Sequence, residues 1–175
     1  MFSDPQKIVD QFRLDHGHVV ADFGSGSGFY TLATAKAVGS AGKVYALDVQ
    51  RDLLLRLKTE ANNRGLRNVE IITADLERPG GSLLRPETVH EVIIANLLFQ
   101  VKNRDRVVEE AVRLLKKNGR LLIVDWRESF GNLGPTPAMI FGEDQARQLA
   151  ENYHLQFMES ISAGEHHYGL IFKKQ

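Results

Sequence analysis

The stretch VVADFGSGSGF, residues 19–29, decides the fold of this chain. Its first half is an apolar run of strand length, and its second half carries three glycines at alternate positions, Gly24, Gly26 and Gly28. Glycine allows a sharp turn with positive φ, and it lets the backbone approach a ligand more closely than a Cβ would permit. The stretch therefore predicts a buried strand, a glycine turn and a helix that begins beside a nucleotide-like ligand.

The residues that flank the turn narrow the kind of ligand. Asp22 precedes the turn and supplies a fixed negative charge. A dinucleotide fingerprint, G-x-G-x-x-G, would place its third glycine at position 29, where this chain has Phe29. That departure disfavours a nicotinamide-dependent dehydrogenase. The alternative interpretation of the turn is a strand-to-helix connection whose glycines serve packing alone.

The composition limits the classes of protein to consider. The chain has 175 residues, the size of one domain, and its 22 Lys plus Arg balance 22 Asp plus Glu. No overall charge attracts a nucleic-acid backbone, although a local basic patch is compatible with this balance. The absence of cysteine excludes disulfides, thiolate metal sites and thiol nucleophiles. We expect no metal. Because no N-terminal apolar run or long hydrophobic span occurs, we also expect a cytoplasmic protein without membrane contact.

After a first helix that begins at Asp4-Pro5, apolar runs of strand length alternate with stretches of helical period, which predicts βα units around a parallel sheet. The predicted strands cover 18–23, 43–48, 69–74, 91–96 and 121–126. The predicted helices between them cover 28–38, 51–64 and 104–117. The last of these helices would end at Lys116-Lys117-Asn118-Gly119, which places basic residues near the C-terminal dipole and a glycine at the exit.

The C-terminal part of the chain has a different pattern. Breakers in 131–137 predict a loop, and a helix is predicted at 143–153. Strands are predicted at 155–161 and 168–173, joined by a short connection. Strands joined by so few residues pair antiparallel, because a parallel return needs a crossover.

The spacing Asp22-x-Gly24-x-Gly26-x-Gly28 resembles motif I of the class I S-adenosylmethionine-dependent methyltransferases. The resemblance implies an α/β, Rossmann-like fold with a seven-stranded sheet and helices on both faces. Five strands would be parallel, followed by a C-terminal antiparallel hairpin whose last strand lies beside the fifth. Residues 1–175 would form a single domain. Its parts would be an N-terminal helix (1–17), a cofactor-binding core (18–126), a loop (127–142) and a helix plus hairpin (143–175).

A second stretch, LKKNGRLLIVDW at 115–126, is similar to the L-K-P-G-G-x-L-x-I-x-D-x signature of small-molecule methyltransferases. That group includes the quinone-biosynthesis C-methyltransferases and the arsenite methyltransferases, and the latter need thiols that this chain lacks. Lys117-Asn118 replaces the usual proline-glycine, and Ser25 replaces the usual cysteine of motif I. Only about 17 residues precede the first predicted strand, so we expect a comparatively open acceptor site.

The resemblance implies S-adenosyl-L-methionine as the cofactor and S-adenosyl-L-homocysteine as its product. The cofactor-binding residues would be Asp22, Gly24, Ser25, Gly26, Gly28, Asp48, Val49, Asp75, Leu76 and Asn96. In this assignment Asp48 accepts from the ribose, Asp75 accepts from the adenine amino group, and the Asn96 carbonyl takes the methionine ammonium. Each of these residues could instead be an ordinary loop residue. Asp52 is a better candidate than Asp48 to cap the helix that follows.

Candidate acceptor contacts follow the fourth and fifth predicted strands: Leu97, Gln100, Trp126 and Arg127. Leu97-Leu98 stands where many enzymes that methylate exocyclic amines of nucleic acids have two prolines, which argues against those enzymes. His166 and His167 are weaker candidates. A histidine pair in a hairpin turn is usually solvated, and in this fold such a turn can lie far from the cofactor.

The expected function is in-line transfer of a methyl group to an unidentified acceptor, with a small molecule as the first hypothesis. Such a displacement needs reactants that are aligned and shielded from water, and no nucleophilic side chain, so no catalytic residue is assigned. A general base is needed only for a weakly acidic acceptor. Two alternatives remain: an RNA or protein methyltransferase, and a non-catalytic S-adenosylmethionine-binding module that regulates a partner. The sequence specifies neither the acceptor atom nor the oligomeric state.

Overall fold

The structure, a computed structural model, describes residues 3–131 and 134–175. Its helices are α1 (Pro5–Phe12), α2 (Phe29–Val38), α3 (Arg51–Asn63), α4 (Arg104–Leu114) and α5 (Glu143–Asn152). Its strands are β1 (Val19–Phe23), β2 (Lys43–Asp48), β3 (Val69–Thr73), β4 (Val89–Ala95), β5 (Leu115–Trp126), β6 (Leu155–Ile161) and β7 (His167–Lys174). Residues 1 and 2 of the predicted N-terminal segment, and 132 and 133 of the predicted loop, lie outside the described residues.

The strands form one seven-stranded sheet in the order β3-β2-β1-β4-β5-β7-β6. Strands β1 to β5 are parallel to their neighbours among themselves, whereas β7 runs antiparallel to both β5 and β6. The expected fold is therefore confirmed, including the last strand beside the fifth. The predicted bounds agree with the observed ones within two residues, except where α4 meets β5.

Helices cover both faces of the sheet. The buried residues of α1, α2 and α3 form one core with the sheet, and those of α4 and α5 form the other. Helices cover both faces of the parallel strands, so a ligand has no access to those faces. An open α/β sheet binds its ligand at the C-terminal ends of its strands. None of the helices in the described part of the chain has both the length and the apolarity of a membrane span.

The predicted helix 104–117 is wrong at its C-terminal end. The backbone of Leu115 is extended (φ −65°, ψ 131°), and this residue pairs with Val89 of β4. A distant residue satisfies carbonyls at this junction: Lys174 Nζ donates to the Val112 carbonyl in the last turn of α4 at 2.9 Å and to the Leu115 carbonyl at 2.6 Å. Residues 116–119 therefore belong to β5, and a register shift between β4 and β5 accommodates them.

Helix α1 begins at a side-chain cap. Asp4 Oδ1 accepts from the backbone N–H groups of Gln6 at 3.1 Å and Lys7 at 3.3 Å. Asp4→Ala should lower the free energy of unfolding by about 1 kcal/mol, as measured by urea denaturation. Asp4→Asn keeps an oxygen acceptor and should stay within about 0.3 kcal/mol of the wild type. An equal loss in both variants would contradict the cap.

Candidate functional site

A cleft runs along the C-terminal ends of the parallel strands and contains two connected cavities. The residues that line the first, of about 280 Å³ and here called the Asp48 cavity, include Asp48, Val49, Asp75, Leu76 and Leu97. The residues that line the second, of about 440 Å³ and here called the Asn96 cavity, include Asp22, Ser25, Phe29, Tyr30 and Asn96. The cavities meet at three residues that line both: Gly24, Gly26 and Gln100.

Asp48 joins the glycine turn to the start of α3. Its Oδ2 accepts from the backbone N–H of Gly26 at 2.8 Å, and its Oδ1 accepts from the N–H of Gln50 at 2.8 Å. The expected cap at Asp52 is wrong: Gln50 is the N-cap residue, without a side-chain cap, and Asp52 lies in the first turn. Each carboxylate oxygen of Asp48 has a further lone pair, so it can still accept from a ligand hydroxyl.

The glycines of the turn have different roles. Gly26 has φ +52°, and among the described residues the nearest neighbour of a Cβ there would be the Gly24 carbonyl oxygen, at 3.9 Å. Gly28 has φ +84°, and a Cβ there would overlap the Leu57 side chain of α3. Gly26 leaves the backbone open to a ligand in the cleft. The packing interpretation applies to Gly28, which lies outside the lining of both cavities.

Asp22 is the buried charge of the cleft, with 1% of its surface exposed. Its Oδ2 accepts from the Thr31 hydroxyl at 2.5 Å. Burial raises the pKa of Asp22 to about 7, the hydrogen bond from Thr31 opposes that rise, and the nearby charge of Asp48 adds to it. A cationic group of a ligand in the Asn96 cavity would stabilise the ionised carboxylate.

Asp75 and Leu76 contribute to the Asp48 cavity from the loop after β3. The Asp75 carboxylate accepts from the N–H of Glu77 at 3.1 Å and pairs with Arg78 Nε at 2.9 Å. These are the contacts of an ordinary loop acid, and the position on the cavity wall is that of a ligand-binding acid. Leu76 is 6% exposed and packs in the core.

Asn96 ends β4 in the left-handed conformation, with φ +52°. Asparagine is enriched among the non-glycine residues that adopt it. The N–H of Asn96 donates to the Val124 carbonyl at 2.8 Å, and the Asn96 carbonyl accepts from the Gln100 side-chain amide at 2.9 Å. The carbonyl that was expected to take an ammonium is therefore bonded to Gln100, with one lone pair left.

Three buried polar atoms of the Asn96 cavity have no hydrogen-bond partner within residues 3–131 and 134–175: Ser25 Oγ, Tyr30 Oη and Asn96 Oδ1. Buried polar groups are normally paired, so these atoms are available to a bound ligand. Together with the open backbone at Gly26 and the buried Asp22, they fit a ligand that carries an ammonium and further hydrogen-bonding groups.

Trp126 and Arg127 lie outside the lining of both cavities. The ring of Trp126 packs against the ring of His167, with 4.2 Å between centroids, and a Cβ on Gly134 would overlap it. Arg127 forms an ion pair with Glu143 at 3.1 Å. The assignment of Trp126 and Arg127 as acceptor contacts stays a prediction.

The expectation of solvated histidines far from the site is wrong for His167. Because β7 runs antiparallel to β5, His167 pairs with Trp126 at the same edge of the sheet as the cleft. His167 is 3% exposed, and burial lowers its pKa to about 4. The neighbouring His166 places Nδ1 at 2.8 Å from the Glu128 carboxylate.

Asp125, which the sequence places with Trp126 beside the predicted acceptor contacts, positions one wall of the cleft. Its Oδ2 accepts from the N–H of Phe99 at 3.2 Å, and its Oδ1 accepts from the N–H of Trp126 at 2.8 Å. Burial raises the pKa of Asp125 to about 6, and these hydrogen bonds oppose the rise. Asp125 thereby holds the backbone of Phe99, within the segment 97–100 that borders the cleft. The signal in the sequence is an acid at the end of an apolar strand, since a buried acid needs donors nearby.

Three features define the class I methyltransferase fold. They are the order of the strands in the sheet, the glycine turn after β1, and the acids at or just after the ends of β2 and β3. A model of a family described as "Methyltransferase domain" matches residues 14–174. The chain therefore belongs to the methyltransferase domain family.

Solved structures and curated proteins agree with this membership. A SAM dependent methyltransferase from Aquifex aeolicus is similar at 28% identity with a TM-score of 0.88, over 99% of this chain and 91% of that one. The [4+2]-cyclase SpnF, at 16% identity and a TM-score of 0.81 over 97% of this chain and 79% of that one, shares the fold alone.

Two curated relatives match parts of the chain. Ubiquinone/menaquinone biosynthesis C-methyltransferase UbiE of Hydrogenovibrio crunogenus is 30% identical over 112 residues, which are 63% of this chain and 42% of that protein. Aklanonic acid methyltransferase DauC of Streptomyces sp. (strain C5) is 35% identical over 75 residues, 43% of this chain and 34% of that protein. The chain thus spans less than half the length of either relative.

The different roles of the glycines can be separated by alanine substitution. Gly28→Ala should lower the free energy of unfolding by about 2–4 kcal/mol, because it combines left-handed strain with overpacking against Leu57. Gly26→Ala should cost only about 1 kcal/mol, since its Cβ enters open space. Urea denaturation of both variants measures the difference. Equal losses would show that the overlap with Leu57 is relieved without cost.

Proposed function

We propose that this protein transfers a methyl group from S-adenosyl-L-methionine to a small-molecule acceptor by in-line displacement. The observation that carries the proposal is the continuous cleft. It is lined by the exposed backbone of Gly26, by the Asp48 carboxylate that accepts from it, and by the buried Asp22 carboxylate. The membership of the methyltransferase domain family supports it.

Each half of the cleft suits one end of this cofactor. In the Asp48 cavity, Asp48 would accept from the ribose and Asp75 from the adenine amino group, with Val49 and Leu76 as apolar walls. In the Asn96 cavity, Asp22 and the Asn96 carbonyl would face the ammonium, and Ser25 would supply a further polar contact. Gly24 and Gly26 line the passage between them, and Gly28 holds the turn through its packing.

When bound, the cofactor supplies an electrophilic methyl group on a sulfonium, with a neutral thioether as the leaving group. The residues of this chain would orient the two ends of the cofactor and exclude water from the region between them. Asp125 would keep residues 97–100 in place as the wall on the acceptor side. The in-line reaction needs no nucleophilic side chain.

The charges of the cleft favour a small-molecule acceptor over a nucleic acid. Within the described residues, no lysine or arginine lines either cavity, whereas Asp22, Asp48, Asp75 and Glu77 do. A phosphate backbone needs basic partners, and the described lining supplies none, which supports a small molecule over a nucleic acid. Leu97 and Gln100 would contact it, and Trp126 and Arg127 are more distant candidates. We also propose that the single domain acts in the cytoplasm.

Binding of S-adenosylhomocysteine tests the site. By isothermal titration calorimetry, Asp48→Ala should weaken binding at least about tenfold, because it removes the charged partner of Gly26 and of the ribose. The matched control is Asp52→Ala, which removes an exposed acid in the first turn of α3 that lines neither cavity and should bind within about twofold of the wild type. Absence of binding by the wild-type protein would refute the proposal.

Turnover separates an enzyme from a regulatory binding module. The protein would be incubated with S-adenosylmethionine carrying a labelled methyl group and with fractionated small molecules from cell extract. The proposal requires the label in a low-molecular-weight product. Label in RNA or protein would favour the macromolecular alternative, and tight binding without any labelled product would favour a binding module.

The raised pKa of Asp22 makes ligand binding depend on pH. Its carboxyl is largely protonated at pH 6 and largely ionised at pH 8, because burial raises its pKa to about 7. An ammonium prefers the ionised form, so the affinity for S-adenosylhomocysteine should rise by up to about tenfold over that interval. Calorimetry at several pH values measures it. Asp22→Asn should give a flat profile, and a flat profile in the wild type would contradict this role.

A further inference from the structure

Gln100 lies at the junction of the two cavities of the cleft. In the described part of the chain, three residues line both cavities, and the other two are Gly24 and Gly26, which have no side chains. Gln100 is therefore the residue that brings a polar side chain to the junction of the cavities. Gln50, by contrast, lines the Asp48 cavity alone.

The orientation of the Gln100 carboxamide follows from its hydrogen bond. Its Nε2 donates to the Asn96 carbonyl at 2.9 Å. A carbonyl can only accept, so the nitrogen must face Asn96, and the Oε1 is left as an acceptor. Asn96 is itself held by the donation of its N–H to Val124, so the partner of the Gln100 amide is fixed to the sheet.

The neighbouring acids are less free than Gln100 Oε1. Asp22 accepts from the Thr31 hydroxyl, and Asp48 accepts from two backbone N–H groups, so part of each charge is compensated inside the protein. The Gln100 oxygen carries the negative end of an amide dipole at an exposed position between them. It suits the positive centre of a ligand that extends through both cavities.

This inference rests on the proposed function, in which the adenosine lies in the Asp48 cavity and the amino-acid end lies in the Asn96 cavity. The atom that joins those two ends of S-adenosylmethionine is the sulfonium sulfur. We propose that Gln100 Oε1 is the polar contact of this sulfonium and its methyl group, and that Gln100 makes the protein prefer the methyl donor over the spent product. The product carries a neutral thioether, which gains nothing from the oxygen, so the contact favours exchange of product for donor.

The test is the ratio of two affinities, measured by calorimetry without any acceptor. Gln100→Leu removes the oxygen and should lower the affinity for S-adenosylmethionine relative to S-adenosylhomocysteine by about two- to fivefold, the range of a weak contact to a polarised C–H group. Gln100→Glu replaces the dipole with a full charge and should shift the ratio in the opposite direction. Because the ratio compares ligands on one protein, damage to the Asn96 contact cancels.

Gln50→Leu is the matched control, since it removes the same side chain from a position away from the junction. Its affinity ratio should equal that of the wild type. Equal ratios in the wild type, Gln100→Leu and Gln100→Glu would overturn the inference while leaving the proposed function intact, and so would a shift of both variants in the same direction. Failure of the wild type to bind either ligand would overturn both together.

Discussion

The cleft depends on one carboxylate. Asp48 accepts from the N–H of Gly26 with one oxygen and from the N–H of Gln50 with the other, so it ties the turn after β1 to the beginning of α3. Apart from it, the turn is held by its backbone contacts to β2 and by its packing on Leu57 and Leu97. Because Asp48 also lies 7% exposed at the cavity wall, the same group determines the shape and the charge of the site.

The sequence predicts the sheet well because its signals are local. Apolar runs separated by helical stretches define the parallel strands, and the short connection before β7 requires antiparallel pairing. The end of α4 was mispredicted because its cap is not local: Lys174 donates to the carbonyls there, and Leu115 is drawn into pairing with Val89. A basic pair followed by asparagine and glycine resembles a helix end whichever partner satisfies the carbonyls.

The residues of the candidate site also differ in whether their signals are local in the sequence. Asp22, Asp48 and Asp75 could be predicted, since each lies at or just after a strand end, where ligands of such sheets bind. The hydrogen bond between Asp125 and Phe99 could not, because it joins two segments and the spacing of residues does not record it. The methyl acceptor is harder to predict than either of these. The shared fold of the cyclase SpnF illustrates that this architecture serves different chemistry, so the fold leaves the substrate open.

The left-handed backbone of Asn96 restricts how this site can evolve. Its φ of +52° disfavours β-branched and bulky side chains. Glycine, asparagine and aspartate adopt this conformation at small cost. Glycine would empty the Asn96 cavity wall, and aspartate would add a charge beside Asp22. Changes of acceptor specificity are therefore easier in residues 97–99, which follow directly and where the backbone makes no such demand. The residues proposed to hold the cofactor can stay fixed while those proposed to face the acceptor diversify.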